Sequence, residues 1–224
     1  MQFIKTNVVG TVNLLNAAKN LWKDNTNNKL FYHISTDEVY GSLGEFGLFL
    51  ETTPYDPKSP YSASKASAEM VLLAYGRTYN ITYQICRSSN NYGARQYPEK
   101  LIPKIISNVL QNKEIPIYGK GENIRDWIFV DDHCRAIIDL YHYGTVGEKY
   151  NIGGECELRN IDLVKRIINL MDGDEKLIKF VDDRPGHDLR YAMDNSKIKN
   201  AVDFYPQYDI KTGLRKTILW YENN

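Results

Sequence analysis

Hydrophobic positions alternate along this chain between helical spacing and short, nearly continuous apolar runs. At the start, Ile4, Val8, Val12, Leu15 and Ala18 fall three or four residues apart, which predicts an amphipathic helix ending near Lys23. A polar turn follows, then the mostly apolar run KLFYHIS, expected as a strand buried on both faces of a sheet. Residues 36–58 carry glycines and prolines without periodicity and read as a loop. Ser59 and Pro60 form an N-cap and first-turn proline for a helix through YSASKASAEMVLLAYGRTY. ITYQICRSS is a second buried strand.

Beyond Asn91 the same alternation continues. EKLIPKIISNVLQNK predicts a helix entered past Pro98, and IPIYGKG a strand and turn. DWIFVDDHCRAIIDLYHYG predicts a strand tip followed by a helix with an acidic first turn. EKYNIGG reads as a strand, NIDLVKRIINLM as a helix capped by Asn160, LIKFV as a strand and IKTGLRKTILWYEN as the last helix. Strands alternating with helices define an α/β class with a mainly parallel, Rossmann-like sheet and a smaller α/β substrate-binding domain.

Composition narrows the function classes. The 224 residues carry 28 Lys plus Arg against 28 Asp plus Glu, with no basic patch, so no nucleic acid partner is expected. The apolar runs are far too short to span a bilayer, and Asn7 and Asn13 interrupt any signal-like segment, so no membrane partner is expected either. Three cysteines, Cys86, Cys134 and Cys156, at irregular spacing fit reduced thiols in a cytoplasmic setting. No Cys or His pair has zinc-ligand spacing, so no metal site is expected.

Two stretches carry candidate chemistry. Tyr61 and Lys65 form a Y-x-x-x-K pair one helical turn apart on one face. Lowering a phenol pKa from about 10 to about 7 takes roughly 4 kcal/mol. An ammonium about 4 Å away supplies up to about that much at an effective dielectric near 20. A solvated Tyr–Lys pair is the plain alternative. Thr36, Asp37 and Glu38 follow directly on a strand, where ligands bind in open α/β sheets. They could equally form a polar strand-exit loop in which Asp37 caps a turn.

A Ser/Thr at a strand end followed by Y-x-x-x-K on a helix resembles the active site of the short-chain dehydrogenase/reductase superfamily. HISTDEVYG, SPYSASKASAE, SNNYG, PEKLIP, PIYGKG, IRDWIFVDDHCRA, YNIGG and DRPGHDLRYAMD extend the resemblance over nearly the whole chain, to its sugar-nucleotide branch. The Asp37–Glu38 pair makes it most similar to the dTDP-glucose 4,6-dehydratases, rather than to UDP-sugar epimerases or decarboxylases or a non-catalytic binding module. The resemblance implies NAD as cofactor, dTDP-glucose as substrate and a homodimer built on the opening helix and the Tyr61 helix, with Val8, Val12, Met70 and Val71 at the seam. Tyr61 would take the 4-hydroxyl proton as hydride leaves C4, and Lys65 would lower the Tyr61 pKa and hold the nicotinamide ribose. Thr36 would hydrogen-bond the reacting oxygen, Glu38 would remove the C5 proton, and protonated Asp37 would release the C6 hydroxyl as water. Asn90 would lie toward substrate and Asn91 toward cofactor. Lys100, Leu101, Pro116, Ile117 and Tyr118 would line the nucleotide site, and Arg125, Asn160, Arg184 and His187 would contact the diphosphate region. Residues 1–91 would belong to the NAD-binding domain and 92–224 mainly to the sugar-nucleotide domain, with 125–152 returning to the Rossmann sheet.

One departure is large. In that family the segment resembling FIKTNVVGT follows a glycine-rich phosphate turn, and no such turn stands in this sequence. Expected consequences are an uncovered edge on KLFYHIS and ITYQIC, weak NAD binding and low activity for the chain alone.

Overall fold

A computed structural model of the chain describes residues 1–23, 25–183 and 188–224. It opens with a π-helical segment, Ile4–Val9, running straight into α1 (Gly10–Trp22). The wider π turns break the 3.6-residue stripe, so Ile4 is exposed while Leu15 is fully buried and Val8 and Val12 are half-buried. β1 (Phe31–Thr36) follows, then a 3-10 turn at Asp37–Tyr40 inside the expected loop. The Thr36 hydroxyl makes that turn by accepting the Glu38 backbone N–H. Leaving the turn, Gly41 takes φ +86°, and a Cβ there would stand 2.5 Å from the Asp56 carbonyl oxygen.

α2 (Pro60–Tyr79) starts at a reciprocal cap in which Ser59 and Ser62 each accept the other's backbone N–H. β2 (Tyr83–Ser88) lies parallel to β1 on one side and to β6 (Lys149–Ile152) on the other. Ile85 of β2 packs with Leu15, Leu72 and Ile81 on the α2 side, whereas its neighbour Cys86 packs on the opposite face. That opposite face is covered by Ala136 and Leu140 of α4 (Val130–Tyr143) and Ile198 of α6 (Ser196–Val202). The sheet is thus covered on both faces, as its apolar strands require. Among the described residues β2 is flanked on both sides, and β1 and β6 are the edge strands of this sheet.

The second core lies beyond β3 (Asn90–Tyr92). It is built by α3 (Leu101–Leu110), α5 (Asn160–Leu170) and α7 (Ile210–Glu222), which press Ile102, Ile105, Ile106, Leu163, Ile167 and Leu214 together. β4 (Ile115–Tyr118) pairs in parallel with β8 (Ile178–Val181). β5 (Ile124–Phe129) pairs in parallel with β3 and antiparallel with β7 (Glu157–Arg159). Side-chain alternation lets β5 serve both cores: Trp127 and Phe129 enter the second, Ile128 the first.

Segment 125–152 therefore divides. α4 and β6 join the first sheet, while β5 stays with β3 and β7. Asn160 is the first residue of α5 rather than its cap. Its backbone N–H donates to the Asn123 carbonyl, and Arg159 stands at the N-cap position.

Candidate active site

The C-terminal ends of parallel strands β1 and β2 open on one side of the sheet, and the chemistry-bearing residues gather there. Thr36 is the last residue of β1, buried, with its backbone fixed by the ladder. Its hydroxyl donates to Asp37 Oδ1 at 3.1 Å. The other carboxyl oxygen of Asp37, Oδ2, is buried with no hydrogen-bond partner. A buried carboxylate with one oxygen unpaired is unstable as an anion. Burial first, then the charges of Glu38 and Asp126, push Asp37 up to about 8, against the Thr36 hydrogen bond and Arg125. Asp37 is therefore a carboxylic acid at neutral pH, able to give up a proton.

Tyr61 stands in the first turn of α2, half-buried, with the Phe3 ring edge-on at 5.4 Å. Burial and the Glu38 and Asp37 charges push its phenol up to about 12. Lys65 is not among the groups that set this direction. The Lys65 ammonium donates to the Ile34 carbonyl at 2.7 Å, and the charges bearing most on Tyr61 are the two carboxyls. Tyr61, Asp37 and Glu38 lie close enough for their charges to act on one another. Burial lowers Lys65 while Glu69, one turn on, pulls it back up.

At the phenol, Glu38 acts as negative charge while the Lys65 ammonium is held on the Ile34 carbonyl. That donor set suits the cationic nicotinamide end of an oxidised dinucleotide. Lys65 Nζ keeps two protons for a ribose after its bond to Ile34. Asn91 donates to the Ser88 hydroxyl and the Ser89 carbonyl and leaves its Oδ1 buried and unpaired, while Asn90, beside it on β3, is half-buried. These residues fit the nicotinamide portion of NAD.

The remaining expected contacts form a second group. Ile117 of β4 and the start of α5 meet across Gly121, where a Cβ would stand 2.8 Å from Ile117 Cγ2 and 3.0 Å from Ile161 Cβ. Pro116 is half-buried and Tyr118 exposed on the same strand, and Asn160 Oδ1 is buried without a partner. Lys100 is exposed at the N-cap position of α3, with Leu101 packed on the second core behind it. The Arg125 guanidinium donates to the Ile124, Asp188 and Leu189 carbonyls, and the charges of Asp37 and Glu38 act on it. Arg184 and His187 lie outside the described residues.

Three features were not singled out from the sequence. Tyr191 lies under the Arg125 guanidinium at 4.4 Å, and its hydroxyl donates to Asp188. Arg190 donates to the Glu157 carboxylate and to the Gly47 carbonyl, lacing the loop after Gly41 to β7. Glu69 and Arg87 form a buried ion pair beneath the site. The DLRY string was visible as a motif, but no local pattern announces which distant partners its residues reach.

Comparison with known proteins agrees with this geometry. The family model for GDP-mannose 4,6 dehydratase matches residues 1–217. A probable dTDP-glucose 4,6-dehydratase of Sinorhizobium fredii is 50% identical over 235 residues, covering 99% of this chain and 67% of that protein. The crystal structure of dTDP-glucose 4,6-dehydratase from Bacillus anthracis in complex with NAD superposes with a TM-score of 0.92 at 49% identity, covering 99% of this chain and 69% of that one. The Streptomyces venezuelae dTDP-glucose 4,6-dehydratase, also with NAD bound, gives 0.94 at 42% identity, covering 99% and 67%. A residue-level site, a shared fold and half-identity along the whole chain converge: this chain belongs to the dTDP-glucose 4,6-dehydratase family.

Proposed function

We propose that the chain carries the catalytic and sugar-nucleotide-binding part of an NAD-dependent dTDP-glucose 4,6-dehydratase, a hydro-lyase. The observation that carries this reading is the buried carboxyl of Asp37, one oxygen unpartnered and its pKa pushed up by burial, beside Glu38 in the turn after β1. Eliminating water across C5 and C6 of a hexose needs an acid for the departing oxygen and a base for the carbon-bound proton, held side by side.

Burial and the carboxyls raise the Tyr61 phenol; the positive charge of bound NAD⁺ would oppose them, so that Tyr61, as phenolate, would accept the proton of the sugar 4-hydroxyl, with Thr36 orienting that oxygen through its hydroxyl. A ketone at C4 acidifies the C5 proton, which Glu38 removes. Asp37 hands its proton to the C6 oxygen, which departs as water. A proton then returns to C5. NAD, when bound, supplies a hydride acceptor at C4 and a hydride donor at C6, so no external reductant is consumed. Lys65 holds the cofactor ribose from its perch on the Ile34 carbonyl, and Asn91 faces the same cofactor end. Lys100, Leu101, Pro116, Ile117, Tyr118 and Asn160 receive the nucleotide, with Asn90 on the sugar side. Arg125, Arg184 and His187 serve the diphosphate.

Residues 1–91 serve the cofactor and 92–224 mainly the sugar nucleotide. Two copies pair through the opening helix and α2, where Met70 is exposed and Val8, Val12 and Val71 are half-buried. The reaction belongs in the cytoplasm. Three free cysteines agree with that setting, and among the described residues no helix is long and apolar enough to cross a membrane.

The test is mass spectrometry of the product after incubating the chain with dTDP-glucose and NAD⁺. The expected product has lost one water and carries a 4-ketone. A product of unchanged mass, inverted at C4, would assign the site to epimerisation. Binding of dTDP-glucose with no chemical change would assign it to a binding module.

A further inference from the structure

Beneath the site lies an ion pair that the reaction does not use. The side chains of Glu69 on α2 and Arg87 on β2 are 0% and 1% exposed. Arg87 Nε donates to both Glu69 oxygens at 3.1 and 3.2 Å, and its terminal nitrogen to Oε2 at 2.6 Å. The guanidinium lies between the rings of Tyr40 and Tyr55, at 4.6 and 4.8 Å, and donates to both hydroxyls at 2.7 Å. Tyr55 passes its proton on to Glu69 at 2.8 Å, and Tyr40 to Asn151 Oδ1 of β6 at 2.6 Å. The Ser35 hydroxyl completes the set by donating to Glu69 Oε1 at 2.5 Å.

Stability alone is a poor reason for this arrangement, since a buried ion pair is often matched or bettered by apolar side chains of equal volume. Its connections are more telling. Ser35 is the residue before Thr36. Tyr40 ends the turn that holds Asp37 and Glu38. Glu69 continues the helical face of Tyr61 and Lys65 at the next i+4 position. Each element that contributes a catalytic group is therefore tied to one buried carboxylate–guanidinium fork, whose planar geometry fixes direction as well as distance.

We propose that the Glu69–Arg87 pair is a positioning device for the reaction: it registers β1, the 37–40 turn and α2 against one another and places a fixed carboxylate one helical turn from the Lys65 ammonium. The proposal rests on the dehydratase reading of the site. Around Lys65 the facing groups are Glu69 on its own helix, His33 on β1 and Cys86 on β2. Burial holds His33 and Cys86 neutral at pH 7, so Glu69 supplies the negative charge.

The experiment compares the wild-type chain with Glu69→Gln combined with Arg87→Met, which leaves no unpaired buried charge, and with the milder Glu69→Asp and Ser35→Ala. Four quantities are read: Tm, KM for dTDP-glucose, kcat, and the titration midpoint of the Lys65 ammonium by nitrogen-15 NMR, assigned with Lys65→Arg. In the double variant kcat falls on the order of 100-fold at unchanged KM, the loss expected from a small misplacement of reacting groups. Its Tm stays near wild type and the Lys65 midpoint moves to lower pH. Wild-type kcat and an unmoved Lys65 midpoint in the folded double variant would overturn the proposal. Should the double variant not fold, Glu69→Asp and Ser35→Ala decide by the split between kcat and KM, and wild-type kcat in both overturns it. Turnover by the wild-type chain without loss of water would count against the dehydratase reading. The Lys65 midpoint needs no turnover, so it still decides the positioning role.

Discussion

Asp37 concentrates the chemistry in one side chain. Its folded-state value, about 8, lies well above the ordinary carboxyl value of about 3.9. Between those two pH values the folded chain holds a proton that the unfolded chain has released, so stability falls as pH rises through that window. Asp37→Asn removes the penalty. Calorimetry should show the variant gaining Tm over wild type at pH 8 and no gain at pH 4. Its turnover falls by a factor on the order of 10²–10⁴, the usual worth of a positioned general acid. Asp37 and Glu38 were legible as an acidic pair after a strand, but their protonation was not. That depends on burial and on Asp126 and Arg125, which reach the site from β5. The hold on Lys65 was hidden for a related reason. Helical spacing placed Tyr61 and Lys65 on one face, but the Ile34 carbonyl that claims the ammonium belongs to another element.

At the scale of the element, α2 decides whether the site assembles. Its capping box satisfies backbone donors that would otherwise be orphaned at the turn carrying Tyr61. Ser59→Ala costs about 1 kcal/mol and lowers Tm by roughly 3 °C in a chain of this size, measurable by thermal unfolding. Turnover falls alongside, since the fraying turn holds the catalytic phenol. The Ser59–Pro60 signature was readable because capping is local. Long periodic helices and apolar strands were readable for the same reason. β3, β7 and α6 escaped notice: three or seven residues carry too little periodicity, and their pairings with β5 and β6 are made across long sequence separations. The 3-10 turn at 37–40 was hidden because a Thr hydroxyl, not an apolar pattern, creates it.

Among the described residues β5 sends side chains into two hydrophobic clusters, with the proposed catalytic residues at the open ends of the first sheet and the expected nucleotide contacts grouped on the second cluster. Ile105→Ala removes a fully buried side chain from the second core and costs about 2–5 kcal/mol in denaturant unfolding. It should weaken dTDP binding by calorimetry through α3, while leaving the Asp37 environment unaltered. The α/β class was legible from strand–helix alternation, but the division of 125–152 between two sheets was not, because register is set by partners rather than by the strand itself. The central claim is that burial keeps a proton on Asp37 at neutral pH. Its most direct test is a carbon-13 NMR titration of the aspartate carboxyls, with Asp37 assigned by Asp37→Asn. A midpoint near pH 8 is the predicted result, and a midpoint in the ordinary carboxyl range, at or below about pH 5, would contradict the account.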